Sequence, residues 1–468
     1  MVKWNQDLLS TFTQKILGER PKVTDNYKLL ESIRINATTW NFFDLRLNIP
    51  PMSLGSDASN PHTQYSNAIA SFNELGITGI GACFTLGEGN QYVCAAAEYI
   101  IRQLDGFTLK ELLDSKGGLA DILGNPVQLR WLSPNAGLPL MAAGLIVNTL
   151  IDFASKKANL PAWKFLAYLD IDELMKFISL RHIKESSTVV EHFQQNTLCG
   201  HKLNERIEEL DNLGLPAYFT TWIGSDAGTL IHEMNVANVE KGISNFKIKI
   251  GSDIALEIEK IDRVMTNLPS YFSYSADANQ KLDFESARDW MKLLSSRGFQ
   301  WLEEPFAPDN VLLFRDLAIE RNTFNWNCEI ATGENCPNLH TAQALLQAGI
   351  NRFQADPCRM MGIFDGAFAG ILSKFYDVEY TPHAGGAGLD ELSRHLQYFF
   401  LAKVDTKKKI EDSLTETIGF CSRFYSHPSK VEGGRILSPE APGLLVGLAP
   451  EVFDCLIPFT EGVTWLEL

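Results

Sequence analysis

The chain has 468 residues, 45% of them hydrophobic, enough to bury a large core and to exclude a disordered protein. Its formal net charge of −16 repels nucleic acid and anionic membrane surfaces, so neither is expected as a partner, and an anionic ligand would need locally concentrated positive charge. The eight cysteines, at 83, 94, 199, 328, 336, 358, 421 and 455, show no CxxC pair and no zinc spacing, and read as buried, reduced thiols of a cytoplasmic protein.

No apolar run of secretory type follows Met1. Residues 5–18 fit a short amphipathic helix; Asp7 and Glu19 weaken a mitochondrial targeting role for it. The first thirty residues read as an extension. From about Ser32 to Leu180 strand and helix patterns mix, as in an α+β domain. Ile33–Arg46 alternates like a strand or hairpin, and Val93–Leu104 and Leu138–Lys156 have helical periodicity. The apolar stretch Leu138–Ala154 is broken by Asn148 and Asp152 and reads as a buried helix, not a membrane span. Gly76, Gly79 and Gly81 read as a glycine-rich turn, as do Gly87 and Gly89, without the spacing of a dinucleotide-binding loop.

After Pro216 the rhythm changes. Short β-rich runs recur at Ala217–Trp222, Phe246–Ile250, Tyr274–Asp277, Gln300–Glu303, Glu329–Glu334, Arg352–Asp356 and Glu379–His383. Helical segments between them include Ile254–Asn267, Phe284–Arg297, Leu339–Ala348 and Phe364–Phe375. Seven such units in series predict a (β/α) barrel; the alternative is a doubly wound open sheet.

Active sites of such barrels lie at the C-terminal ends of the strands. The predicted strands end on Lys247 and Lys249, Asp277, Glu303 with Glu304, Glu334, Asp356 and His383. Three acidic groups on adjacent strands suit the hard oxygen coordination of Mg²⁺, with Asp277, Glu303 and Glu334 as ligands. Glu303 and Glu304 should face opposite sides of a strand, and periodicity does not choose between them. The competing interpretation is three unrelated carboxylates beside helix N-termini. Lys247 and Lys249 share a face, and their repulsion should lower one pKa toward that of a general base. Asp356, one strand away from His383, can orient the imidazole and raise its basicity. The set fits proton abstraction beside a metal-bound carboxylate, followed by loss of a hydroxyl. GxxxxGK[ST], HExxH and GxSxG are absent, which argues against P-loop, zincin and serine-hydrolase chemistry.

Phe-Lys-Ile-Lys-Ile-Gly (246–251), Asp-Ala-Asn-Gln (277–280), Trp-Leu-Glu-Glu-Pro (301–305), Ala-Thr-Gly-Glu (331–334) and Pro-His-Ala-Gly-Gly-Ala-Gly-Leu (382–389) resemble the mandelate-racemase-like branch of the enolase superfamily. Gly-Ser-Asp-Ala (55–58), Tyr65, Phe-Thr-Leu-Gly-Glu-Gly-Asn (84–90) and Leu-Arg-Trp (129–131) extend the likeness to its L-fuconate and L-galactonate dehydratases. The resemblance implies an α/β fold, a (β/α)7β TIM-like barrel with an α+β capping domain built from the N-terminal region and the C-terminal tail. Residues 1–31 would be the extension, 32–215 the cap and connecting helices, 216–425 the barrel, and 426–468 the return to the cap. It implies Lys249 as the base at C2 and Lys247 as the partner of the substrate carboxylate. His383, oriented by Asp356, would be the acid at C3. Asp277, Glu303 and Glu334 would hold Mg²⁺, which selects Glu303 over Glu304 and agrees with the superfamily's pairing of Lys or His bases with that ion. Asn279 and Glu416 would touch the substrate, and Gly55, Ser56, Asp57 and Tyr65 would close over its tail. It also implies a sugar-acid substrate and a homo-oligomer.

Several neighbours depart from the subgroup pattern: Leu282, Phe306, Ala307, Asn310, Leu339, Glu88, Phe420 and Ser422. The departures leave open another sugar acid, an epimerase using Lys249 and His383 as bases on two faces, or a binding protein on the same fold.

Overall fold

The computed structural model describes residues 26–48, 64–115, 118–124, 131–133, 135–221, 225–419 and 421–460. The amphipathic stretch predicted at 5–18 and the cap-loop residues Gly55, Ser56 and Asp57 lie outside them.

Three antiparallel strands open the cap: β1 (Trp40–Asn48), β2 (Gln64–Glu74) and β3 (Ile77–Thr85). The strand expected from Ile33 begins only at Trp40, because Asn36 caps a short 3-10 turn over Ala37–Thr39. Leu75 and Gly76, both at positive φ, make the two-residue turn between β2 and β3. Gly79 and Gly81 are not turn residues, contrary to expectation. They lie within β3, where the helix α2 (Leu138–Lys157) packs directly on the strand. A Cβ on Gly81 would stand 2.3 Å from the Thr149 hydroxyl. The helix α1 (Asn90–Gln103) lies against the same sheet and α2. α2 is long and apolar enough to cross a membrane, but 89% of its apolar window is buried inside the protein, which makes it a core helix. Asn26–Glu31, within the stretch expected to be an extension, forms a helix with Leu30 fully buried.

Eight parallel strands follow. They are β4 (Leu215–Thr220), β5 (Asn245–Lys249), β6 (Ser273–Asp277), β7 (Trp301–Glu303), β8 (Glu329–Thr332), β9 (Arg352–Phe353), β10 (Glu379–Tyr380) and β11 (Thr415–Thr417). β4 to β10 are hydrogen-bonded in chain order, and β11 pairs with β4 on its other side. Seven helices join them: α3 (Ala227–Lys241), α4 (Ile254–Asn267), α5 (Phe284–Ser296), α6 (Val311–Thr323), α7 (Leu339–Gln347), α8 (Gly362–Phe375) and α9 (Leu389–Phe399). This is the (β/α)7β order, so the doubly wound alternative falls. Asp226, Asp253, Asp283 and Asn338 cap α3, α4, α5 and α7 by accepting backbone N–H bonds, which starts each helix soon after its strand.

Alternation along the strands sorts the side chains. In β5, Phe246 and Ile248 join the main hydrophobic core, while Lys247 and Lys249 reach the charged cluster at the strand ends. A second, separate cluster of Tyr218, Trp301 and Ala331 fills the barrel. Arg352 stacks on Trp301 with its guanidinium carbon 4.6 Å from the ring centre, and Lys247 lies 5.7 Å above Tyr218. The barrel is thus plugged below its C-terminal mouth.

The C-terminal segment returns to the cap. β12 (Val431–Glu432) and β13 (Arg435–Ile436) form a hairpin against β4, and β14 (Leu456–Pro458) pairs antiparallel with β1. Asp152 of α2 secures this return. Its Oδ1 accepts N–H bonds from Leu444, Leu445 and Val446 at 2.7, 3.1 and 3.0 Å. Its Oδ2 accepts Ile80 N at 2.8 Å and pairs with Lys156 Nζ at 2.5 Å. Because Asp152 is fully buried, Asp152→Ala leaves these N–H donors unpaired and Lys156 with only the Thr78 carbonyl. It is expected to destabilise the protein by about 3 kcal/mol, read as a lower denaturation midpoint; an unchanged midpoint would remove Asp152 from this role.

Candidate active site

Of the cysteines expected to be buried, Cys199 and Cys455 are exposed, and no disulfide occurs among the described residues.

At the barrel mouth Asp277 (end of β6), Glu303 (end of β7) and Glu334 (two residues past β8) bring one carboxylate oxygen each within 4.8 Å of the others. Each carboxylate is also held by neutral donors. Glu303 Oε2 accepts Trp301 Nε1 at 3.0 Å and Gln354 Nε2 at 2.7 Å. Asp277 Oδ1 accepts the Asn279 N–H at 3.0 Å, and Glu334 Oε1 accepts Asn335 Nδ2 at 3.2 Å. The other oxygens face cations. Glu303 Oε1 bonds Lys247 Nζ, and Asp277 Oδ2 lies 2.5 Å from Lys249 Nζ and 3.6 Å from Lys247 Nζ. Glu334 Oε2 accepts no hydrogen bond and lies 3.3 Å from His383 Nε2. A pure carboxylate set with one oxygen of each left for a cation fits a hard divalent ion. These residues would hold it.

Glu304 departs from the expected geometry. β7 ends at Glu303, and Glu304 takes a positive φ of 41°, which breaks the strand alternation. Instead of turning to the far face, its buried carboxylate accepts Gln280 Nε2 at 3.1 Å and Asn335 Nδ2 at 3.2 Å, so it shares Asn335 with Glu334. Burial first, then the charges of Glu334 and Asp277, push its pKa well up.

The lysines also depart from expectation. Burial alone would lower both, and for Lys249 the neighbouring ammonium adds to that, yet both are raised. Glu303 and Glu416 outweigh burial for Lys247, and Asp277 does so for Lys249. The facing carboxylates therefore decide the outcome, not the repulsion between the two ammonium groups. Conversely burial raises Glu303 to about 7 against the pull of Lys247.

His383 stands two residues beyond Thr381, whose N–H bonds β9, and its Nδ1 meets Asp356 Oδ2 at 2.9 Å. Burial would lower its pKa, but Glu334 and Asp356 outweigh it and lift the group to about 10. Asp356 is itself fixed by the Cys358 N–H at 2.6 Å. A Cβ on Gly385 would stand 2.6 Å from His383 Nε2, so the glycine two residues after the histidine makes room for the ring.

Lys249, Asn279, Glu334, Asp356, His383 and Tyr65 all line one cleft between barrel and cap. Tyr65 donates to Gly385 O at 3.3 Å and packs edge-on to Phe84. Lys247 and Glu416 are not in its lining. Glu416 is buried behind it, 2.9 Å from Lys247 Nζ, and accepts the Ala384 N–H at 2.8 Å and the Thr220 hydroxyl. Residues that sequence reasoning missed include Gln354 and Trp301, which hold Glu303, and Arg359, which lines the cleft. Trp301 and Gln354 stand two residues before Glu303 and Asp356, on the inward side that strand alternation defines, and that spacing was the available signal. Among the departures, Phe306 is buried, stacked on Phe284 and edge-on to Phe314, outside the cleft. Phe420 and the side chain of Ser422 lie outside the described residues.

Residues 230–452 match the family model described as Enolase C-terminal domain-like. The L-galactonate dehydratase of Hypocrea jecorina is 30% identical over 92% of this chain and 96% of its own length. Human mitochondrial enolase superfamily member 1 is 30% identical over 89% of this chain and 95% of its own length. Its crystal structure superposes with a TM-score of 0.81 at 28% identity, covering 90% of this chain and 95% of that one. The L-talarate dehydratase of Polaromonas sp. JS666, solved with Mg and L-glucarate, shares the fold at a TM-score of 0.67 and 21% identity, over 89% and 96% of the two chains.

The triad predicts a metal phenotype. Asp277→Asn should weaken Mg²⁺ binding by about tenfold or more in calorimetry, while Glu329→Gln, at the opposite end of β8, leaves it unchanged. Equal binding by wild type and Asp277→Asn would exclude this site.

Proposed function

We propose, from the premise that this chain belongs to the enolase superfamily on its mandelate racemase branch, that it is a magnesium-dependent sugar-acid dehydratase acting on an acid of the L-fuconate or L-galactonate type. The observation that carries this reading is the placement of Lys249 and His383 on separate arms of the carboxylate triad, one against Asp277 and the other against Glu334. The name of the Hypocrea jecorina relative supports the substrate class.

Lys249 Nζ takes the C2 proton of the substrate. Lys247, buried and already directed at Glu303, donates to the negative charge that develops on the carboxylate. His383, protonated and fixed by Asp356, delivers its Nε2 proton to the C3 hydroxyl, which leaves as water. The C2–H and C3–O bonds break, and the enol tautomerises to a 2-keto-3-deoxy acid. Magnesium supplies two positive charges to the triad, which offset the attraction holding Lys249 protonated and stabilise negative charge on the substrate carboxylate. An epimerase would use His383 as a second base; the carboxylates that keep its ring protonated favour an acid, hence dehydration. Asn279 and Tyr65 line the cleft where the substrate would sit.

The test is a screen of purified protein with Mg²⁺ against a panel of sugar acids including L-fuconate and L-galactonate, scored for the 2-keto product. Turnover should appear and be abolished by EDTA. Lys249→Ala and His383→Asn should each lower kcat by at least about a hundredfold while the fold persists. Near-normal turnover in either variant would remove that residue from its role, and Mg²⁺ binding without turnover of any acid would overturn the dehydratase reading.

A further inference from the structure

One cation in the cleft has no part in the chemistry above. Arg359 lies one turn past Asp356, its N–H bonded to Asp356 O at 3.1 Å. Its Nη1 crosses to the cap and donates to Phe84 O at 2.7 Å, with the guanidinium carbon 5.7 Å from the Phe84 ring centre. A guanidinium carries five N–H donors in a rigid fork and does not lose its proton in a protein. Among the described residues the Arg359 side chain makes that single hydrogen bond, and none of its other nitrogens is a buried atom without a partner. They remain open on a residue that lines the cleft with Tyr65, Leu86, Lys249 and His383.

We infer that Arg359 is a specificity-determining residue that binds the hydroxyl-bearing tail of the sugar acid, beyond the two carbons that react; the inference rests on the dehydratase reading. The reacting end is accounted for by the triad, the two lysines and His383. A tail leaving that end runs between barrel and cap, where Arg359 is already held by Phe84 O. A clamp between the two parts uses one donor and leaves the rest of the fork unexplained. Asp356 and Glu334 lie close enough to act on the guanidinium charge. A second carboxylate on the tail would face their repulsion, whereas neutral hydroxyl oxygens would not, so a polyol tail suits the open donors.

The experiment is calorimetric binding, with Mg²⁺, of two ligands that share the 2-keto acid end. One is a six-carbon 2-keto-3-deoxy acid and the other is pyruvate, which has no tail. Arg359→Met should weaken the six-carbon acid by about ten- to a hundredfold and leave pyruvate within about twofold of wild type. Arg359→Lys, which keeps a donor for Phe84 O but not the fork, should show a smaller, equally selective loss. It also serves if the methionine variant fails to fold, which thermal melting reports. Equal weakening of both ligands would assign Arg359 to the cap–barrel clamp alone and overturn the inference, as would no weakening of either. Wild-type protein that binds pyruvate but gains nothing from the tail overturns the inference and leaves the reaction standing. Wild-type protein that binds neither ligand refutes the dehydratase reading, and the inference with it.

Discussion

The structure depends on compensating buried negative charge. Asp277, Glu303, Glu304, Asp356 and Glu416 are essentially inaccessible, and Glu334 nearly so. An ionised carboxylate removed from water is costly unless it is paired or hydrogen-bonded. The barrel meets that demand strand by strand. Lys247 and Lys249 come from β5, Trp301 from β7, Gln354 from just past β9, and His383 from just past β10. One oxygen of each of Asp277, Glu303 and Glu334 converges with the others on one point, where Lys247, Lys249 and His383 stand close by and a divalent cation would add to the counter-charge. A cluster that is stable only with cations present is also one in which added or removed positive charge changes the basicity of every member. On the proposed mechanism, that coupling would let Lys249 serve as a base beside its own counter-ions.

The remainder of the fold keeps this cluster buried and in register, reached through the cleft. Below it, Tyr218, Trp301 and Arg352 plug the barrel. Above it the cap sheet presents Tyr65 and Phe84, and Arg359 reaches from the barrel to the Phe84 carbonyl. The cap is in turn fixed by the buried Asp152 carboxylate, which gathers the returning C-terminal chain onto α2 and β3. Site and scaffold are therefore linked through a few buried acids, each with an identifiable set of donors.

Much of this was legible in the sequence because period-two alternation puts a strand's chemistry on one side. Phe246-Lys247-Ile248-Lys249 shows it directly, and the ionisable residues at or just past successive strand ends locate the mouth of the barrel. Residues whose role depends on three-dimensional proximity were not legible. Gly79 and Gly81 look like turn residues, yet they are small because α2 presses on β3. Glu304 appears to face away, but the positive φ that ends β7 turns its carboxylate toward Asn335. The basicity of the two lysines was misjudged from their mutual repulsion, since the outcome is set by carboxylates arriving from strands far along the chain. Phe306 seemed an alteration near the site and instead fills an aromatic stack on the outside of the barrel. Arg359 gave no sign in the linear pattern, because its partner carbonyl lies 275 residues away in the cap.

The central claim is that Lys249 takes the C2 proton, which its ammonium group then exchanges with solvent, and that the C3 hydroxyl leaves with a proton from His383. It is tested most directly with a sugar acid carrying deuterium at C2, turned over in ordinary water with Mg²⁺. The account predicts slower turnover than for the unlabelled acid and a 2-keto-3-deoxy product free of deuterium. A product retaining the deuterium at C3, formed at the unlabelled rate, would mean that hydrogen migrates within the substrate without passing through Lys249, and would contradict it.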